Sequence, residues 1–308
     1  MKSSLLIFLL IFPFIGLPQS KNGFNLTDAI IPTQQIFRGG PPRDGIPSID
    51  SPKFLTANKN TFIKSKDRIL GIVINHQARA YPIKILNWHE IVNDRIGDQF
   101  FVITYCPLCG SGVAFSSLIN SKPLIFGVSG LLYNSDVLLY DRHTDSLWSQ
   151  IMKKGVSGRM AGVKLKQIPL AHTTWEAWKR QYPSTQILST QTGFSRNYSK
   201  NPYTGYEKSR QLYFDVSQKS PNLYHPKEQV LGVEIGNTFK AYPFFELNQS
   251  KLSIINDEIE NQQITIHWDE SHQSGKILDK KGAEIPVIQL FWFAWYTFHP
   301  ETLIYQPD

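Results

Sequence analysis

Two stretches of this chain are versions of one another, and that repetition limits the fold more than any single motif. Residues 68–82 read RILGIVINHQARAYP and residues 229–243 read QVLGVEIGNTFKAYP. Gly71 matches Gly232, and Ala80-Tyr81-Pro82 matches Ala241-Tyr242-Pro243. In both, apolar residues alternate, a two-residue turn follows, and a short return strand ends on proline, the pattern of a β-hairpin. The turns fall at Asn75-His76 and Gly236-Asn237, residue types that accept positive φ. The match continues through Ile91-Val92-Asn93-Asp94 and the strand 99–105, paired with Ile254-Ile255-Asn256-Asp257 and 262–268. It resumes at Trp175 to Trp178 with Thr185, paired with Trp292 to Trp295 with Thr302. Three matched blocks in one order mark an internal duplication.

The duplication decides how the apolar stretch 285–298 is read. Its counterpart, 174–181, is an amphipathic helix with Thr173 or Thr174 as cap and Pro183 just past the end. Both are therefore expected to be buried core helices, with their tryptophans packing. The fold class that follows is α+β, mostly antiparallel β, an internally duplicated β-rich module with short helices. Residues 1–20 read as a signal peptide, with Lys2, the apolar run Leu5 to Leu17, and Pro18-Gln19-Ser20 for cleavage. That run falls short of the about 20 residues a span needs, and an uncleaved anchor is the rival reading. No cysteine follows it, so a lipid anchor is not expected. An exported protein, periplasmic or extracellular, with no transmembrane span after signal removal is expected.

Residues 21–60 form an N-terminal extended segment, 61–192 module one, 193–228 a long loop or linker, and 229–308 module two. Module one carries extra strands near 112–117, 124–129, 136–140 and 146–149. A loop as long as 193–228 inside a compact protein is usually functional or mobile. The net charge is +7, yet the lysines and arginines are scattered. Clusters such as Lys64, Lys66 and Arg68 read as a solvated face, and no nucleic-acid fold signature accompanies them.

Only two cysteines are present, Cys106 and Cys109, in Cys-Pro-Leu-Cys at the end of a strand. Module two has Asp269 and His272 at those positions, so the thiols belong to one copy alone. Three readings stay open. A disulfide closing so small a loop stabilises by about 2 kcal/mol, against about 3 for a 15-residue loop, so it is a weak scaffold device and its inert form would suit a non-enzymatic binding module. Thiol/disulfide chemistry is the second reading, one thiolate attacking and the other resolving. A metal knuckle is the third; zinc needs four ligands, which His89 and His143 would help complete, and copper(I) accepts fewer soft ones. His89, beside Glu90, is the candidate proton handler, and Arg142 the candidate stabiliser of a thiolate or anionic partner. Asn134, Asp136 and Arg142 are candidates for a polar pocket. No nucleotide-binding glycine loop, serine nucleophile elbow or zinc-protease helix is present.

Eight segments in order carry a family resemblance: Phe37 to Pro47, Trp88 to Asp94, Thr104 to Ser111, Phe126 to Gly130, Asn134 to Asp136, Tyr140 to Arg142, Ser146 to Gln150 and Pro202 to Tyr206. Together they resemble the domain-of-unknown-function family numbered 3179, from about Ile36 to the C-terminus. The resemblance implies no established activity. It does imply selenocysteine in some members within the segment matching Cys106 to Cys109, which favours nucleophilic or redox chemistry there. The expected function is thus that of a thiol-dependent oxidoreductase using Cys106 and Cys109, acting with an unknown redox partner or small molecule. The alternative is a copper or zinc protein.

Overall fold

The hairpin read from residues 68–82 forms as Arg68–Ile74 paired with Gln77–Pro82. Residues 20–307 are described by the structure, a computed structural model; the stretch 1–19, which holds nearly all of the segment read as a signal, lies outside them. Asn75 and His76 both take positive φ, 49° and 61°, as a tight turn with the right-handed strand twist requires. Pro82, with φ −63°, stands at the N-cap of helix α1, Ile83–His89, so the proline that ends the strand presets the helix entry. The second hairpin, Gln229–Ile235 with Thr238–Pro243, leads into the counterpart of α1 in the same way: Pro243 stands at the N-cap of the helix Phe244–Ser250.

The residues shared by the two copies make matching contacts. Tyr81 Oη donates to Asp94 Oδ2 at 2.6 Å, and Tyr242 Oη to Asp257 Oδ2 at 2.7 Å. Arg79 pairs with Asp94 and Lys240 with Asp257. The Trp178 indole lies over Gly71 and donates to Thr185 Oγ1 at 2.9 Å; Trp295 lies over Gly232 and donates to Thr302 Oγ1 at 2.8 Å. The repeated Gly, Tyr, Asp, Trp and Thr are thus parts of one packing device used twice. Helix Trp175–Gln181 is capped by the Thr174 side chain, which accepts from Ala177 N, and its tryptophans are buried. The apolar 285–298 stretch divides into strand Ile288–Phe291 and helix Trp292–Phe298. No helix among the described residues is long and apolar enough to cross a membrane.

Strands occupy 42% and helices 14% of the described residues, and the pairing is almost entirely antiparallel, a β-rich α+β fold. Each hairpin gains an antiparallel neighbour, Ala171–Thr174 or Ile288–Phe291, and a parallel one, Gln186–Leu188 or Leu303–Ile304. A three-stranded meander follows each: Ile91–Ile96, Gln99–Cys106 and Ser111–Ser116 in the first half, Ile254–Ile259, Gln262–Asp269 and Ser274–Asp279 in the second.

The halves interlock. Strand Ile288–Phe291 pairs with Ser111–Ser116 through Gln289 and Gly112, joining the second hairpin to the first meander. Its counterpart, Ala171–Thr174, lies against Ser274–Asp279 of the second meander. The strand read as extra near 112–117 is instead the third meander strand, Ser111–Ser116, which the second half shares; the other extra strands, Phe126–Tyr133, Asp136–Asp141 and Leu147–Ser149, form a separate sheet with Ile36–Arg38 and Lys154–Ser157. The N-terminal segment supplies edge strands to two sheets, Ile36–Arg38 here and Phe54–Thr56 beside Gln186–Leu188. The stretch 193–226 holds only a short 3-10 turn, Tyr206–Lys208, and packs Tyr203, Tyr206, Leu212 and Phe214 onto the core that contains both cysteines.

Candidate functional site

Strand Gln99–Cys106 delivers Cys106 to the mouth of a tight turn, and Ser111, its register partner, starts the return strand. Gly110 closes the turn at φ 62° with the Phe291 ring packed against it; a Cβ there would sit 3.0 Å from that ring. The Phe291 N–H donates to the Cys109 carbonyl at 2.8 Å, so the second half holds the turn in place. Cys106 and Cys109 are free thiols, 1% and 0% exposed.

A carboxylate stands with them. The turn Asn134-Ser135, φ 52° and 64°, joins Phe126–Tyr133 to Asp136–Asp141 and drives Asp136 into the core at 0% exposure. The ligand atoms of Cys106, Cys109 and Asp136 all lie within 4.8 Å of one another. Asp136 Oδ2 accepts from the Ile151 N–H at 3.1 Å, while Oδ1 has no hydrogen-bond partner. The Cys106 thiol donates to the Ser135 carbonyl at 3.6 Å.

Burial dominates the electrostatics. It pushes Asp136 up to about 8, against the pull of the Ile151 and Val137 N–H groups and the Cys106 thiol. Glu90, buried at the C-cap of α1 with φ 57°, is pushed up to about 8 by the same desolvation and then by Asp136. Cys109 is held well above the ordinary thiol range by burial, and then by its Cys106 neighbour. Tyr206 lies in the core cluster that holds both cysteines and Tyr203 packs against it; both phenols are raised, by burial first and then by Glu90 or the thiols.

Asp136 has a measurable consequence for stability. Its folded pKa lies above that of the unfolded chain, so the unfolded state releases its proton first. The stability held below about pH 4 is then lost as pH rises to about 8. Asp136→Asn should flatten that decline and raise the melting temperature at pH 8 by several degrees, on the order of several kcal/mol. Calorimetry across this range, with Glu90 still present in both proteins, checks it.

The sequence-derived candidates divide. Cys106 and Cys109 come together, but His89 and His143 are not in their group. His89 is fully buried with Nδ1 2.8 Å from the Pro47 carbonyl and Nε2 2.7 Å from Tyr198 Oη. A carbonyl only accepts, so Nδ1 carries the proton and Nε2 accepts from the tyrosine. Both nitrogens are spent, and burial lowers the ring's pKa, so His89 anchors the 193–226 segment. Arg142 is exposed and pairs with Asp44 and Asp50, away from the thiols' group. His143 is exposed at the next turn, where its N–H donates to Asp141. Asn134 accepts from the Ser217 N–H and so ties the same long segment down. Asp136, read only as part of a polar pocket, is the group that completes the site. Its signal was a carboxylate opening an otherwise apolar strand.

One family, described as Protein of unknown function (DUF3179), matches residues 43–302. The chain belongs to this family. The matched DUF3179 region contains the thiol turn, Asp136, the 193–226 segment and both hairpins. No curated protein and no solved structure matches the chain.

Proposed function

We propose that this is an exported thiol/disulfide redox protein that cycles Cys106 and Cys109 between dithiol and disulfide, with a small disulfide-bearing molecule as oxidant. The observation that carries this reading is Asp136: a buried carboxylate with a free oxygen, grouped with both sulfurs. Burial pushes this carboxyl up to about 8, close to the pH at which a general base works best, so it is a stronger base than an ordinary carboxylate toward the tightly held Cys109 proton. In the oxidative direction, the Cys106 thiolate attacks one sulfur of the small disulfide and expels a thiolate. Cys109, its proton passed to Asp136, then attacks Cys106 in the mixed disulfide and expels the second. Two electrons leave the cysteine pair, and both protons end on the released thiols. Burial of both sulfurs favours a small partner over a protein, since attack needs access along the S–S axis. Such a partner reaches them only when the Tyr203 and Tyr206 layer moves aside.

The same three donors favour a second reading. Two thiolates and a carboxylate suit copper(I) or zinc, with Asp136 in the role the sequence had given to His89 and His143. Native intact-mass spectrometry of the signal-free chain, purified without reductant or chelator, separates the two. A mass two hydrogens light that mild reductant restores supports the redox reading. One bound metal ion, lost on acidification and in Asp136→Asn, replaces it with the metal reading.

A further inference from the structure

Beside the thiol turn, where the two halves meet, opens a cleft of about 1010 Å3. Its lining includes three groups whose bonding capacity the protein leaves unused. Arg68 is half-buried, and its guanidinium donates only to neutral oxygens: the carbonyls of His172 at 2.6 Å, Gln273 at 3.1 Å and His272 at 2.5 Å. No carboxylate forms an ion pair with it among the described residues. Tyr105, 8% exposed, makes no hydrogen bond through its hydroxyl among the described residues; burial and then Cys106 raise its pKa, against the Arg68 charge. His172, 9% exposed, leaves Nδ1 without a partner.

A desolvated cation without a counter-charge is costly unless something anionic completes it. Desolvation lowers Arg68 to about 10, a measure of that cost. The positions are also unequal between the halves. Where the first half has Arg68, Tyr105 and His172, the register puts Gln229, Trp268 and Gln289 in the second. Packing is satisfied there without a cation, so the Arg68 charge and the two polar groups beside it in the first half have another use. Phe244 and Phe291, 2% and 6% exposed, show ring edges to the same cleft, and its exposed rim carries Lys64, Lys66 and Lys200 together with Glu176 and Glu207.

We propose that this cleft binds a small organic anion, its single oxyanion head held by the Arg68 guanidinium and Tyr105 hydroxyl and its apolar or aromatic body against Phe244 and Phe291. The site stands on residues separate from the thiol pair and does not depend on the redox reading. The head is a carboxylate or a phosphate, and two probes tell these apart.

Phenylacetate and phenyl phosphate are titrated calorimetrically into the full folded chain, with phenylacetamide as the neutral control. At least one of the anions binds, more weakly as salt is added, and the amide does not. Arg68→Gln, which installs the residue found at Gln229, weakens binding about tenfold or more. Tyr105→Phe removes one oxygen only, weakens binding several-fold, and carries the test if Arg68→Gln does not fold. Cys109→Ala binds the anion as the unaltered chain does, which keeps this result distinct from any failure of the dithiol chemistry. Equal binding of acid and amide, binding of none of the three, or anion binding indifferent to both cleft substitutions overturns the proposal.

Discussion

Cys109→Ala should yield a folded protein that no longer exchanges two electrons with a small disulfide. The side chain is fully buried and small, so removing one sulfur leaves a minor cavity, and the loss of stability should be about 1 kcal/mol. The chemistry has no such tolerance. Cys106 can still attack, but nothing within bonding reach resolves the mixed disulfide, because these are the only two cysteines in the chain. Turnover should drop to the protein-free rate, and mass spectrometry should find the small thiol trapped on Cys106. Asp136→Asn should keep the disulfide couple yet slow its formation, and the rate should lose its dependence on a group near pH 8. Turnover by Cys109→Ala at the unaltered rate would falsify the redox reading.

Gly232→Ala should be the most damaging single methyl in the second half. Its Cβ would stand 2.2 Å from the Trp295 ring, and that ring cannot retreat: it is 2% exposed and tethered through its indole N–H to Thr302. Overpacking of this kind costs about 1–3 kcal/mol and sometimes more. We expect the upper end, because the ring is pinned on its far side. Gly71→Ala, with its Cβ 2.5 Å from Trp178, should cost a similar amount in the first half. Urea unfolding monitored by tryptophan fluorescence measures both. A midpoint unchanged in either variant would mean that the tryptophan shelf yields, and that the repeated glycine has some other cause.

The hairpins, the helix cap at Thr174 and the packing role of the tryptophans were legible because each rests on local pattern. Alternation, a positive-φ turn pair and a proline at the strand end are written within fifteen residues. The thiol pair was legible for the same reason. What surrounds it was not. Asp136 reaches Cys106 from another sheet, and no periodicity states which strand end meets which turn. The Trp88-His89-Glu90 segment misled for a related cause: a histidine beside a glutamate resembles an acid–base pair, whereas here the chain turns at Glu90 through positive φ. Glu90 is thereby buried toward Asp136, and His89 is occupied by Pro47 and Tyr198. Arg142 looked free in the sequence because its partners, Asp44 and Asp50, lie in the distant N-terminal segment.

The Phe291 N–H that grips the Cys109 carbonyl sets an order of events for the growing chain. Residues 20–228 already contain both thiols and Asp136, yet the turn lacks its clamp and Gly110 lacks its aromatic cover until the second half has folded against them. The enclosure of the thiol pair is therefore completed last. A chain cut before the second half lacks both Phe291 contacts on the thiol turn, and completion of that half supplies them.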